Sequence, residues 1–197
     1  MPAAEPPPVP GDTLSPPIDL SRAGNGSFDT GRSKLHIGLW LLVEWLFVTN
    51  SLQISSKLRI MALRAFGATI GEGVIMRQRI RVKFPWRLTI GDRCWIGEGV
   101  WIHNQGELTI GADTVISQES FLTTGSHDLR ATMDLVITPV HIGSGVWVTS
   151  RCMVLSGVEI GDNAVILPGS VVDRSVEAQS IYGGVPARFV KRREMDT

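Results

Sequence analysis

Cysteine is scarce in this 197-residue chain, where Cys94 and Cys152 are the only two. So placed, they give neither a disulfide framework nor a zinc-ligand spacing. Excess charge is lacking as well: 19 basic residues balance 19 acidic ones. That balance argues against binding nucleic acid through bulk charge, and no nucleic-acid partner is expected. No apolar run is long enough to cross a bilayer. The segment "LHIGLWLLVEWLFV", Leu35 to Val48, has 14 residues and contains His36 and Glu44, where a span needs about 20. The first 34 residues are polar and Pro-rich, without the basic-then-apolar order of a secretory leader. The cytoplasm is therefore the expected compartment.

Proline is present but confined, with seven of the 11 before residue 18. A stretch such as "PAAEPPPVPGDTLSPP" cannot bury enough apolar surface to order itself. Residues 1–34 are expected to form a disordered tail, its end able to dock on the body. Residues 35–68 read as a helical segment. Apolar side chains are dense there, and Leu58, Met61, Ala62, Ala65 and Phe66 keep helical spacing until Gly67 stops them.

Beyond residue 68 the period changes to six. Val136, Ile142, Val148, Val154, Ile160, Ile166 and Val172 are evenly spaced, at neither the helical nor the strand period. A smaller residue follows each by four: Val140, Val146, Cys152, Val158, Ala164, Ser170 and Val176. Glycine often follows the aliphatic residue, as in "IGSG" and "IGEG", where it suits a turn. The predicted fold is mainly β: a left-handed parallel β-helix over residues 69–176, three hexapeptides to a coil. Upstream the beat slips by two residues after Leu88 and again after Leu108, so "LTIGDRCW" and "LTIGADTV" stand 20 apart. This reads as a two-residue bulge repeated at one corner. Cys94 and Cys152 fall in the small inward slot, where a buried thiol is inert.

The beat also breaks once outright. After Leu122 the next aliphatic residue is due at position 128 but comes at Val136, eight residues late. Stacked coils have flat faces, so an ejected loop over 123–135 makes a wall, and a wall against a neighbouring subunit makes a pocket. His127 sits in this gap within "TTGSHD". An imidazole titrating near ~6.5 can take a proton from a hydroxyl. No serine–histidine–acid order accompanies it, which suits direct attack by a bound acceptor on an activated acyl donor. Backbone N–H groups of the loop are candidates to hold the oxyanion. Asp128, Glu107 and Glu119 are candidates to orient the ring. Trp101, His103 and Asn104, with Gln105, lie one coil earlier and suit sugar recognition by stacking and hydrogen bonds. Zinc bound by His103, His127 and His141 is disfavoured, because no two of them are close in sequence, and no metal is expected. Arg77, Arg79, Arg81 and Lys83 alternate as if on one strand face, able to meet an anionic surface. Together with Trp40 and Trp45 they raise peripheral membrane contact as an alternative to a helix that caps the coil.

The coil, the "TTGSHD" loop, the run "HIGSGVWVTSRCMVLSGVEIGDNAVILPGSVV" and the closing "YGGVPAR" resemble the hexapeptide-repeat acetyltransferases, especially the colanic-acid-biosynthesis type near the galactoside and maltose O-acetyltransferases. The resemblance implies acetyl-CoA as acyl donor and an O-acetylated sugar as product, on a free or lipid-linked acceptor. It also implies a homotrimer with active sites between subunits. His127 matches the catalytic base. Trp147 and Ser150 match positions along the pantetheine channel. Gly183, Gly184, Ala187 and Arg188 match the motif closing on the CoA nucleotide, with Lys191 available to its phosphates, so 177–197 is expected to contact CoA. Pro168 and Asp173 depart from the small or hydroxylic residues usual along that channel. A non-catalytic β-helix scaffold is the alternative.

Overall fold

The computed structural model describes residues 17–195 apart from 25, 27 and 131. Most of the proline-rich tail, residues 1–16, lies outside the described residues. Strands of two or three residues alternate with tight turns and stack into three parallel sheets, the walls of a triangular solenoid. Sheet A stacks Thr69–Ile70, Leu88–Ile90, Leu108–Ile110, Val140–Ile142 and Glu159–Ile160. Sheet B stacks Ile75–Met76, Trp95–Ile96, Val115–Ile116, Trp147–Val148 and Val165–Ile166. It continues past residue 176 into Ser180–Gly183, still parallel, and ends with the antiparallel Arg188–Arg192. Sheet C stacks Arg81–Val82, Trp101–His103, Phe121–Thr123, Met153–Val154 and Val171–Val172.

The core is the column of inward aliphatic residues that the period of six produces. Ile70, Ile90, Ile110, Ile142 and Ile160 lie in register on sheet A, all buried. Each such side chain contributes about 1.5–3 kcal/mol by leaving water. The small slots are buried too, from Cys94 through Val146, Cys152 and Ala164 to Val176. Cys94 Sγ donates to Gly111 O at 3.0 Å, and burial pushes its thiol pKa up. Both cysteines are spacers.

Three readings of the repeat are refined. The two-residue slip does fall at one corner, and it leaves the ladder intact, because Leu88↔Leu108 and Ile90↔Ile110 pair without interruption. Leu88 and Ile90 both point inward, one at each end of a three-residue strand, and the extra residues widen the turn from sheet C to sheet A. Secondly, Val136 is not a core residue. It is 43% exposed and pairs with Ser126 in a hairpin, and the solenoid resumes at Val140. Thirdly, the glycine after the isoleucine serves close approach rather than a turn. A Cβ on Gly111 would lie 2.6 Å from the backbone of the next coil, whereas the left-handed residue comes two later, Asp113 with φ 58°.

The helical segment is also divided. Ser33 caps α1, Lys34–Val43, which widens into a π-type turn at Glu44–Val48. The chain then breaks, and Ser55 caps α2, Ser56–Ala65. Trp40, Val48, Ile60 and Leu63 join the solenoid core, and Trp40 Nε1 donates to Val82 O at 3.0 Å. Arg59 is buried and donates to the carbonyls of Val48, Gln53 and Met76. The helices therefore cap the first coil, whose edge would otherwise leave strand groups and apolar surface bare.

Candidate active site

All departures from the eighteen-residue coil occur at one corner, between sheets C and A. Pro85–Arg87 makes a 3-10 turn there in the first coil. In the second, Asn104 to Glu107 fill the same corner. In the third, Gly125–His127 pairs antiparallel with Leu135–Ile137, so the ejected loop is a hairpin standing off the solenoid. Thr138 N donates to Thr124 O at 2.9 Å and closes its base. The end of the N-terminal segment clamps it, with Gly24 N on Asp134 Oδ1 at 2.7 Å and Leu135 N on Gly24 O at 3.2 Å.

His127 is at the outer end of the first hairpin strand, exposed. Its Nδ1 lies 2.9 Å from Met133 O. A carbonyl accepts only, so Nδ1 carries the proton and Nε2 is left as the acceptor. The orienting group is thus a backbone carbonyl and not one of the acidic candidates. Glu119 instead binds Arg79 at 2.9 Å, and Asp128 Oδ1 accepts from Arg130 N at 2.8 Å. Met133 holds a left-handed φ of 58°, fixed by its N–H on Asp128 O at 3.1 Å. Non-glycine residues pay about 1–2 kcal/mol in that region, and here the strain aims the carbonyl at the ring.

An open cleft of about 440 Å³ lies between α1 and sheet C, with Leu41, Arg81, Lys83, Trp101 and His103 among its walls. His103 Nδ1 is 3.3 Å from Thr123 Oγ1, and its Nε2 is 3.4 Å from Lys83 Nζ. Burial, reinforced by the Lys83 charge, lowers its pKa, so the ring is held neutral. Trp101 packs on Phe121 with ring centroids 4.9 Å apart, and the Arg81 guanidinium lies 3.9 Å over its face. Asn104 does not reach the cleft. It is fully buried, accepts from Phe84 N at 3.1 Å and donates to Phe84 O at 2.7 Å, bracing the widened corner. Sequence reasoning misses Thr123 and Met133, which leave no trace there, whereas it singles out Lys83 only as one of four alternating cations.

The residues expected to hold the donor lie elsewhere on the chain. Trp147 is half-exposed on sheet B, its Nε1 donating to Ser117 Oγ at 3.0 Å. Ser150, at the corner between sheets B and C, donates to Gln118 Oε1 at 3.0 Å. It lines an open groove of about 520 Å³ with Arg151, Pro168 and Gly169. Gly183 packs so tightly on Leu167 that a Cβ would fall 2.8 Å from it, and Gly184 has φ 103°. Ala187 is buried, its N–H on Val171 O at 2.7 Å. Arg188 binds Asp173 at 3.0 Å and holds that carboxyl below its usual pKa. Lys191 is exposed on the last strand of sheet B. The hairpin and Ser150 thus occupy different corners of the triangle. Arg77, Arg79, Arg81 and Lys83 do not share one strand face; they wrap the corner from sheet B to sheet C along the capped end. Among the described residues no cluster of three or more His, Cys, Asp or Glu could hold a metal ion.

A parallel solenoid with one ejected, histidine-bearing hairpin defines a hexapeptide-repeat protein equipped for more than stacking. The comparisons agree. The family described as bacterial transferase hexapeptide (six repeats) matches residues 139–174. A protein of Escherichia coli (strain K12) bearing the name colanic acid biosynthesis acetyltransferase WcaF is 39% identical over 165 residues, 83% of this chain and 90% of that one. Galactoside O-acetyltransferase of the same strain is 30% identical over 128 residues, 63% of each. Among solved structures, a hexapeptide-repeat acetyltransferase of Vibrio cholerae complexed with acetyl-CoA superposes with a TM-score of 0.77 at 22% identity, over 89% of this chain and 97% of that one. The chain belongs to the hexapeptide-repeat acetyltransferases, with their left-handed parallel β-helix, and is an acyltransferase.

Proposed function

We propose that the chain transfers an acetyl group from acetyl-CoA to a sugar hydroxyl of a polysaccharide or glycan precursor. The observation that carries this reading is the exposed His127 ring, tethered through Nδ1 to Met133 O, which leaves Nε2 to act as a base. Nε2 takes the proton of the acceptor hydroxyl while its oxygen attacks the thioester carbonyl. The tetrahedral intermediate expels the CoA thiolate, and the imidazolium returns the proton to sulfur. Bonds and protons balance without a covalent enzyme intermediate. Relatives named for colanic acid biosynthesis, lipopolysaccharide biosynthesis O-acetyl transfer and galactoside acetylation support a carbohydrate acceptor. The cleft walled by Trp101, His103, Lys83 and Arg81 is where we place it.

Trp147, Ser150, Gly183, Gly184, Ala187, Arg188 and Lys191 are assigned to CoA on the family resemblance, and structural neighbours have been solved with acetyl-CoA or CoA bound. Arg188, with its planar fork, suits phosphate oxygens once Asp173 yields it. Because the hairpin and the donor residues sit on different corners, the reading requires a second copy to bring its donor groove to this hairpin. A homotrimer with three shared sites satisfies that requirement by symmetry. We place the enzyme in the cytoplasm, where acetyl-CoA is made. The test is release of free CoA thiol from acetyl-CoA with pooled oligosaccharides. Acceptor-dependent thiol release with a hydroxylamine-labile product is expected. A hydroxylamine-stable product would mean an amino acceptor, and no release at all would mean a scaffold.

A further inference from the structure

The outward side of the N-terminal cap concentrates exposed aliphatic side chains. Leu35, Leu39, Leu42 and Leu46 follow one another at helical spacing on the side of α1 and its π-type extension opposite Trp40 and Val48, and all are exposed. Trp45 stands beside them at 68% exposure, and the following turn adds Leu52 at 87% and Ile54 at 79%. Only one acidic residue, Glu44, lies between Asp29 and Glu72. Its carboxyl is turned away from this face, accepting from Val82 N at 2.7 Å, and burial raises its pKa. The outward face therefore carries no negative charge of its own. Cations border it instead. Lys34 opens α1 and Lys57 lies in the first turn of α2, both exposed. Arg77 follows Met76, whose N–H donates to Ser56 Oγ at 2.9 Å, which places it beside the start of α2. None of the three has an acidic partner among the described residues. Several surface arginines elsewhere are paired, as Arg79 is with Glu98 and Glu119.

We propose that this face rests on an anionic lipid surface, with α1 lying in the plane of the headgroups. Aliphatic side chains and an indole on one side, cations at the border and no outward carboxylate are the composition of an interfacial helix. Among the described residues no helix is long and apolar enough to cross a membrane, so the helix lies on the bilayer rather than through it. A second copy of the chain would bury the leucines equally well, but it would meet the same cations with cations of its own. Anionic headgroups meet them with opposite charge. This inference is independent of the acyl-transfer chemistry.

The experiment is co-sedimentation of the full chain with phosphatidylcholine vesicles, with and without phosphatidylglycerol. Binding to the phosphatidylglycerol vesicles is expected, weakened by salt. A Leu42→Ser, Trp45→Ser double variant is expected to lose about tenfold or more in vesicle affinity, with circular dichroism and light-scattering mass unchanged. A Lys34→Gln, Lys57→Gln variant is expected to keep its fold and lose the preference for phosphatidylglycerol. Wild-type protein that stays in the supernatant overturns the proposal. So does a folded double variant that binds vesicles as well as wild type. A double variant with altered oligomeric mass and wild type without vesicle binding would make the face a contact between copies, and overturn it too.

Discussion

Trp40 and Trp45 stand five residues apart on the same helical segment and face opposite ways, so replacing each measures what the cap contributes. Trp40 is completely buried, packs 5.2 Å from Phe66 between ring centroids, and hydrogen-bonds Val82 O. Trp40→Ala removes the largest apolar side chain of the cap, at about 3–5 kcal/mol. It also strands the Val82 carbonyl against the core, which costs about 1–3 kcal/mol more if water does not reach it. The sum approaches the whole stability of an ordinary domain, about 5–15 kcal/mol. Trp40→Phe keeps most of the packing and loses the donor, so about 1–3 kcal/mol is expected. Trp45→Ser, at an exposed position, should change stability by no more than about 0.5 kcal/mol. The assay is equilibrium urea unfolding followed by tryptophan fluorescence and circular dichroism, at fixed protomer concentration because assembly contributes to apparent stability. If Trp40→Ala cost no more than Trp45→Ser, the helices would not be part of the solenoid core, and the account of the cap would be wrong.

Three further predictions concern the site. His103 has a pKa depressed by burial and by Lys83, so the unfolded chain binds its proton more readily than the folded one. Its contribution to stability is present above the ordinary value of 6.5 and is lost as pH falls through the depressed folded value. His103→Gln should flatten that part of a stability-versus-pH curve, and an unchanged slope would refute the assignment. Arg188→Gln should raise KM for acetyl-CoA by about tenfold, one charge-assisted contact, while the solenoid stays folded. Equal KM values for the two proteins would remove Arg188 from the donor site. Asp134→Ala deletes the acceptor of the Gly24 N–H and should loosen the hairpin, lowering kcat more than it raises KM and speeding proteolysis near residue 24. Unchanged kcat and proteolysis would mean that the clamp does not hold the hairpin in place.

Much of this could be read from the sequence because the solenoid writes its core in one dimension. A period of six fixes which side chains face inward, so Ile90, Ile110, Ile142 and the slots of Cys94 and Cys152 were legible without a structure. The rhythm failed where the chain changed period. Val136 fits the count of six by coincidence, while its strand follows the two-residue alternation of a hairpin. Asn104 looked like a ligand because amides suit sugars, yet both ends of its side chain are taken up by the Phe84 backbone. The group that orients His127 could not be found in any list of side chains, since it is the carbonyl of Met133. The break after Val48 was hidden because the apolar pattern runs on through Leu52 and Ile54 while the backbone turns.

The most direct test of the central claim is the rate of acceptor-dependent CoA release by a His127→Ala variant, measured beside its acetyl-CoA affinity and oligomeric mass. The account predicts a rate lower by about 10²–10⁴-fold, with donor binding and assembly as in wild type. A variant that turns over within a few-fold of wild type would contradict it, and the proton would then have to leave the acceptor by another route.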